Sequence, residues 1–150
     1  MLFHKLYSSV FGIGYIKGGG SIAAAVCGIG WYLAWSGGYP PFWTSLIITI
    51  IITLIGVWSS TIMEAIWGKD PSKVVIDEVS GMAIGLLFLP VNVKYLLCAF
   101  ILFRFFDIVK PLYVRKMEDL PSGWGIMGDD VLAGIYTNII LQAVVWFNLF

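Results

Sequence analysis

The chain has 150 residues, of which 59% are hydrophobic, 16% aromatic and only 12% charged. A soluble domain usually carries about 25% charge, so this composition, with its long apolar runs, points to a single-domain integral membrane protein. The formal net charge is zero, which leaves no electrostatic case for nucleic acid as a partner.

Residues 1–17 are short, mildly amphipathic and basic (His4, Lys5, Lys17) and suit an interfacial segment. They hold no long apolar core and no A-x-A site, so no cleavable signal peptide is expected. Gly18, Gly19 and Gly20 form a flexible joint, and Ser21 is placed to cap a helix over 22–35. A turn over 36–41 leads to the clearest spanning helix, 42–63, with about 20 apolar or small residues for a hydrocarbon core of about 30 Å. Its last turns become polar at Ser59, Ser60, Thr61 and Glu64. Asp70 and Pro71 read as N-cap and first position of a third helix, 71–89, which stops before Pro90. A fourth runs over 94–110 and ends at Pro111. Residues 111–128 read as the longest loop, and Asp129 and Asp130 as the start of the last helix. Cys27 and Cys98 lie inside apolar segments and read as small buried hydrophobes rather than a disulfide or metal pair.

The expected fold is therefore all-α, a polytopic membrane bundle of about five helices, the third and fourth short enough to be partly re-entrant. Threading five crossings puts residues 1–17, 64–78 and 104–130 on one side. Eight of the nine Lys and Arg fall there, only Lys94 lying opposite, so that side is cytoplasmic by the positive-inside rule. All nine acids follow it, which the rule does not explain.

Ionisable residues at membrane depth are functional candidates by default. Asp77 and Glu78 are adjacent carboxylates bracketed by Val74-Val75-Ile76 and Val79. They are either a helix-end acid pair held by lysines or ligands for Mg²⁺, which takes one or two carboxylates and keeps room for a phosphate. Asp129 and Asp130 repeat the pattern beside a glycine-rich stretch; complementing the helix dipole could explain one of them. Asp130, Gly134, Thr137 and Asn138 share a helical face that should look into the bundle. Arg104, Asp107 and Lys110, spaced i, i+3, i+6, form either an internal salt-bridge ladder or a site in which Asp107 joins the acids while the two cations hold phosphate. Lys17, Ser21 and Arg115 are further substrate-binding candidates, the first two beside backbone N–H groups at a helix start. Glu64 is a solvated helix end or an outer metal ligand, and Glu118 and Asp119 read as solvated loop acids. Gly81 and Gly85, spaced i, i+4, should permit close helix packing.

Three strings carry a family resemblance. Lys-Asp-Pro-Ser-Lys-Val-Val-Ile-Asp-Glu-Val-Ser-Gly-Met (69–82) resembles the D-P-x-x-V-V-x-D-E-x-x-G-M signature of phosphatidylglycerophosphatase A. Phe-Arg-Phe-Phe-Asp-Ile-Val-Lys-Pro (103–111) resembles its F-R-x-x-D-x-x-K-P. Gly-Trp-Gly-Ile-Met-Gly-Asp-Asp-Val-Leu-Ala-Gly (123–134) is similar to its G-x-G-I-M-x-D-D-x-x-A-G. The order and approximate spacing are also the family's. The resemblance implies a Mg²⁺-dependent phosphatase of the bacterial inner membrane that converts phosphatidylglycerophosphate to phosphatidylglycerol. The implied functional residues are Asp77, Glu78, Arg104, Asp107, Lys110, Asp129 and Asp130. One block departs: where the family shows P-G-T-x-G-S, this chain reads Ile16-Lys17-Gly18-Gly19-Gly20-Ser21. The threonine is replaced by glycine, and Lys17 could supply an alternative phosphate contact.

On this reading Asp77, Glu78, Asp129 and Asp130, with Glu64 as an outer candidate, hold metal. Arg104 and Lys110 stabilise transition-state charge, and Asp107 or Asp130 takes a proton from the attacking water. The single histidine, His4, disfavours histidine-dependent phosphatase chemistry. The alternative is a component of a membrane cation or proton transporter using the acids as an ion site. Charge confined to one side favours interfacial chemistry on a lipid headgroup.

Overall fold

The apolar run after Pro41 builds the longest element, α3 (Phe42–Trp67), in the computed structural model, which describes residues 1–150. At 26 residues it extends about 39 Å and is the one helix long and apolar enough to cross a membrane. Around it stand α1 (Leu2–Ser8), α2 (Gly19–Trp35), α4 (Ile76–Leu86), α5 (Val93–Val109) and α6 (Gly123–Trp146), with 3₁₀ turns at Ile13–Tyr15 and Arg115–Asp119 and no strand. The all-α expectation holds. The count of five crossings is not confirmed: α4, at 11 residues, is roughly 17 Å long, about half a hydrocarbon core.

Large apolar side chains point outward on four helices. Leu33, Leu54, Ile101 and Ile139 are each more than half exposed, a distribution suited to lipid rather than water. The core forms around α4, whose Met82, Ala83 and Leu86 pack with Phe103 of α5 and Ala133 and Leu141 of α6. Glycines set the spacing of α4 and α6. A Cβ at Gly134 would strike the Gly81 carbonyl, and one at Gly85 would lie 3.2 Å from the Thr137 methyl. The expected close packing is therefore real, and the partner is α6. Asn138 reaches across to donate to the carbonyls of Gly85 (3.2 Å) and Leu87 (2.7 Å). Asp130, Gly134 and Thr137 are buried, as their shared face predicts.

Three helix starts differ from expectation, each for a local reason. Gly18 adopts a left-handed conformation (φ 76°) and caps α2 at Gly19, so Ser21 lies in the first turn and caps nothing. Residues 71–75 do not join α4. Val75 N–H donates to the Ser8 carbonyl at 2.8 Å, and Asp70 is left-handed (φ 49°), so α4 begins at Ile76 with Val75 as its N-cap. Asp77 and Glu78 consequently sit in the first turn rather than two turns in. Finally, α6 begins at Gly123, whose N–H donates to Thr61 Oγ1 of α3 at 3.0 Å. Asp129 and Asp130 thus lie within the helix, about two turns from its start.

Candidate active site

Helix packing gathers seven ionisable residues from three helices. Asp77 and Glu78 come from the first turn of α4, Arg104 and Asp107 from the end of α5, Lys110 from its C-cap, and Asp129 and Asp130 from α6. The glycine-mediated contact of α4 with α6 sets the two acidic pairs side by side. Oxygens of Asp77, Asp129 and Asp130 lie within 4.8 Å of one another, and so do those of Glu78, Asp107 and Asp130. Asp130 belongs to both triads.

The cations tie the triads together. Arg104 pairs with Asp107 and lies 3.9 Å from Glu78. Lys110 Nζ is 2.5 Å from Asp129, 3.2 Å from Glu118 and 3.8 Å from Asp107. Burial works to lower the Lys110 pKa, but the Asp129 hydrogen bond and the charges of Asp129, Asp107 and Asp130 outweigh it and hold it above the ordinary lysine range. The i, i+3 ladder expected from the sequence exists, and it is embedded in the cluster rather than separate from it.

The donor set fits a divalent cation. Asp129 and Asp130 are only 8% and 1% exposed. One oxygen each of Asp77 and Glu78, and both of Asp130, are buried without a hydrogen-bond partner. Buried carboxylate oxygens are costly unless paired or metal-bound, and hard oxygen donors suit Mg²⁺. Dipole complementation accounts for Asp77 and Glu78 in the first turn of α4. It does not account for Asp129 and Asp130 inside α6.

A cavity of about 570 Å³ adjoins the cluster, with Glu78 and Arg104 in its wall. The segment from Gly14 to Ser21, together with Ser72 and Lys73, completes it, so Lys17 and Ser21 both line the cavity. Gly20 gives the Glu78 carboxylate its room there: a Cβ would make that side chain shift. Lys73 lies 5.3 Å from the ring centre of Tyr15 and 5.5 Å from that of Trp67, which holds its charge at the cavity mouth. Sequence reasoning missed Lys73. Lys73 lies in the first motif string, but only the tertiary approach of Tyr15 marks it.

Two candidates are not brought to the cluster. Glu64 lines a separate cavity of about 430 Å³ with Lys69, Asp70, Glu118 and Asp119. Arg115 is exposed in its 3₁₀ turn and forms no ion pair.

Comparison with known proteins gives the geometry a context. The chain matches the family Phosphatidylglycerophosphatase A over residues 6–145. A protein of Bacteroides thetaiotaomicron provisionally named phosphatidylinositol-3-phosphatase is 48% identical over 107 residues, 69% of this chain and 67% of that one. Phosphatidylglycerophosphatase A of Haemophilus influenzae is 40% identical over 107 residues, 69% of this chain and 66% of its own length. The matched stretch thus spans about two thirds of each relative. No solved structure matches. With all three motif strings inside the matched region, the chain belongs to the phosphatidylglycerophosphatase A family.

Proposed function

We propose that the chain is a Mg²⁺-dependent membrane phosphatase that hydrolyses phosphatidylglycerophosphate to phosphatidylglycerol and phosphate in phospholipid biosynthesis, at the cytoplasmic face of a bacterial inner membrane. The observation that carries the reading is the pair of carboxylate triads sharing Asp130, with partnerless buried oxygens, beside a cation-lined cavity. Family membership supports the reaction class, and α3 together with the outward apolar faces supports the membrane.

Asp77, Glu78, Asp129 and Asp130 would hold one or two Mg²⁺ ions. The metal, when bound, supplies Lewis-acid stabilisation to the phosphoryl oxygens. Arg104 presents a planar fork of donors to the phosphoryl oxygens, and Lys110 adds a fixed positive charge to the same region. Both offset charge that grows in the transition state. Asp107 and Asp130 both belong to the second triad, and whichever of the two is free of the metal would take the proton of the attacking water, Asp107 being held in place by its pairs with Arg104 and Lys110. Lys17, Lys73 and Ser21 bind the rest of the headgroup.

The name of the 48% identical relative points to a second headgroup, a phosphoinositide. The altered segment 16–21 lines the cavity, and a change of headgroup would be met there. The transporter alternative has no support from the family or its relatives. The test is phosphate release by purified protein from phosphatidylglycerophosphate and from phosphatidylinositol 3-phosphate, in Mg²⁺ and in EDTA. Release from the first lipid that stops in EDTA is expected. Release from the second alone would reassign the substrate, and activity that persists in EDTA would remove the metal from the account.

A further inference from the structure

We propose that one acyl chain of the substrate lies in the apolar groove between α2 and α5, directly beneath the cation-lined cavity. The proposal rests on the lipid-phosphatase reading and adds to it the route by which the lipid is held. The groove has a volume of about 260 Å³ and is walled by Gly28 and Ile29 of α2, Met82 of α4, and Leu96, Leu97 and Phe100 of α5. That is room for on the order of nine groups the size of a water molecule, a run of methylenes rather than a headgroup.

The groove and the cavity share their walls in register. Glu78 and Met82 are one turn apart on α4, Arg104 and Phe100 one turn apart on α5, and Ser21 and Ala25 one turn apart on α2. The first member of each pair lines the cavity and the second lines the groove. One turn is about 5.4 Å along the helix, a step the glycerol backbone of a phospholipid can bridge. Gly28 keeps the groove open: a Cβ there would stand 3.0 Å from the Leu96 Cδ1 and 3.3 Å from the Met82 methyl.

Charge and position select this groove over its rivals. One apolar groove of about 320 Å³, walled by Leu46, Ile50, Leu54, Ile84 and Ile135, shares no residue with the cation-lined cavity. A second apolar groove of about 250 Å³, between α3 and α6, includes Thr53, Val57, Trp124 and Ile135. It meets, at Leu120, the cavity that holds Glu64, Asp70, Glu118 and Asp119 against the single cation Lys69. An anionic headgroup meets four acids and one cation there, against three cations (Lys17, Lys73 and Arg104) and one acid (Glu78) at the top of the α2/α5 groove. A chain moving from bilayer to groove exchanges one apolar environment for another, so the groove acts by positioning the headgroup rather than by adding hydrophobic affinity.

The test is the ratio of kcat/KM for long-chain phosphatidylglycerophosphate, in mixed micelles at fixed lipid fraction, to kcat/KM for its deacylated, water-soluble headgroup. Leu97→Trp and Gly28→Leu both fill the groove. Leu97 is 57% exposed, so its replacement leaves the core alone and decides the matter if Gly28→Leu fails to fold. The ratio is expected to fall about ten-fold or more in Leu97→Trp and to stay within about two-fold of wild type in Ile135→Trp, which fills the rival groove. A wild-type ratio in Leu97→Trp, or a fall confined to Ile135→Trp, would overturn the assignment. Wild-type protein that releases phosphate from neither ester would overturn the lipid-phosphatase reading itself.

Discussion

Gly81→Ala tests whether helix spacing builds the site. A Cβ at Gly81 would lie 2.6 Å from the Asp130 carbonyl oxygen and 2.7 Å from the Phe103 Cζ. Ordinary contact begins near 3.4 Å, so α4 and α6 must separate by about 0.8 Å, or the Phe103 ring and the Asp130 backbone must both move. Overpacking of this kind costs about 1–3 kcal/mol of stability. The functional effect is larger than that cost suggests. Metal–ligand distances tolerate about 0.2 Å, while Asp77 and Asp130 stand on the two helices being driven apart. The Mg²⁺ concentration for half-maximal phosphate release should therefore rise about 10–100-fold, the range seen when a ligand's support is lost. The assay is phosphate release against Mg²⁺ in detergent micelles, with circular dichroism to show that the helices persist. A Gly81→Ala protein that is folded and has the wild-type Mg²⁺ curve would refute the idea that α4–α6 contact sets the ligand geometry.

Three other outcomes follow from named contacts. Arg104→Lys keeps the charge but loses the planar fork that reaches Asp107 and Glu78; kcat should fall about 10–100-fold with modest change in KM, read by steady-state kinetics. Lys73→Ala removes a cation at the cavity mouth while leaving the acids intact, so KM for an anionic lipid should rise about two- to five-fold and the difference should shrink at high salt. Thr61→Ala deprives the buried Gly123 N–H of its acceptor. This should cost about 1–2 kcal/mol and lower the melting temperature by a few degrees, with phosphate release below that temperature unchanged.

The gathering of the charged residues was legible because membrane composition makes each charge informative. Asp77, Glu78, Arg104, Asp107, Lys110, Asp129 and Asp130 stand out against apolar neighbours, and the fold does gather them. The end of α5 was legible too, since Pro111 follows it, while its start falls one residue earlier than expected, where Asn92 caps it by accepting from Tyr95 N–H at 3.1 Å. The start of α4 was not: Asp70-Pro71 has good capping chemistry, but the pairing of Val75 with Ser8 competes for the backbone, and that contact joins residues far apart in the sequence. The start of α6 was hidden for a similar reason. Gly123 and Gly125 look like loop residues until α3 and the 111–122 segment are seen packed against them. Glu64 stands near the motifs in sequence, yet α3 carries it to a different cavity.

The most direct measurement of the central claim is phosphate release from phosphatidylglycerophosphate by wild type, Asp77→Asn and Asp130→Asn across a Mg²⁺ titration. Asp130 serves both triads and Asp77 one. Asp130→Asn should therefore lose activity at every Mg²⁺ concentration, while Asp77→Asn should recover part of it at high Mg²⁺. Wild-type activity in Asp130→Asn, or activity in all three proteins that ignores Mg²⁺, would contradict the shared-carboxylate site.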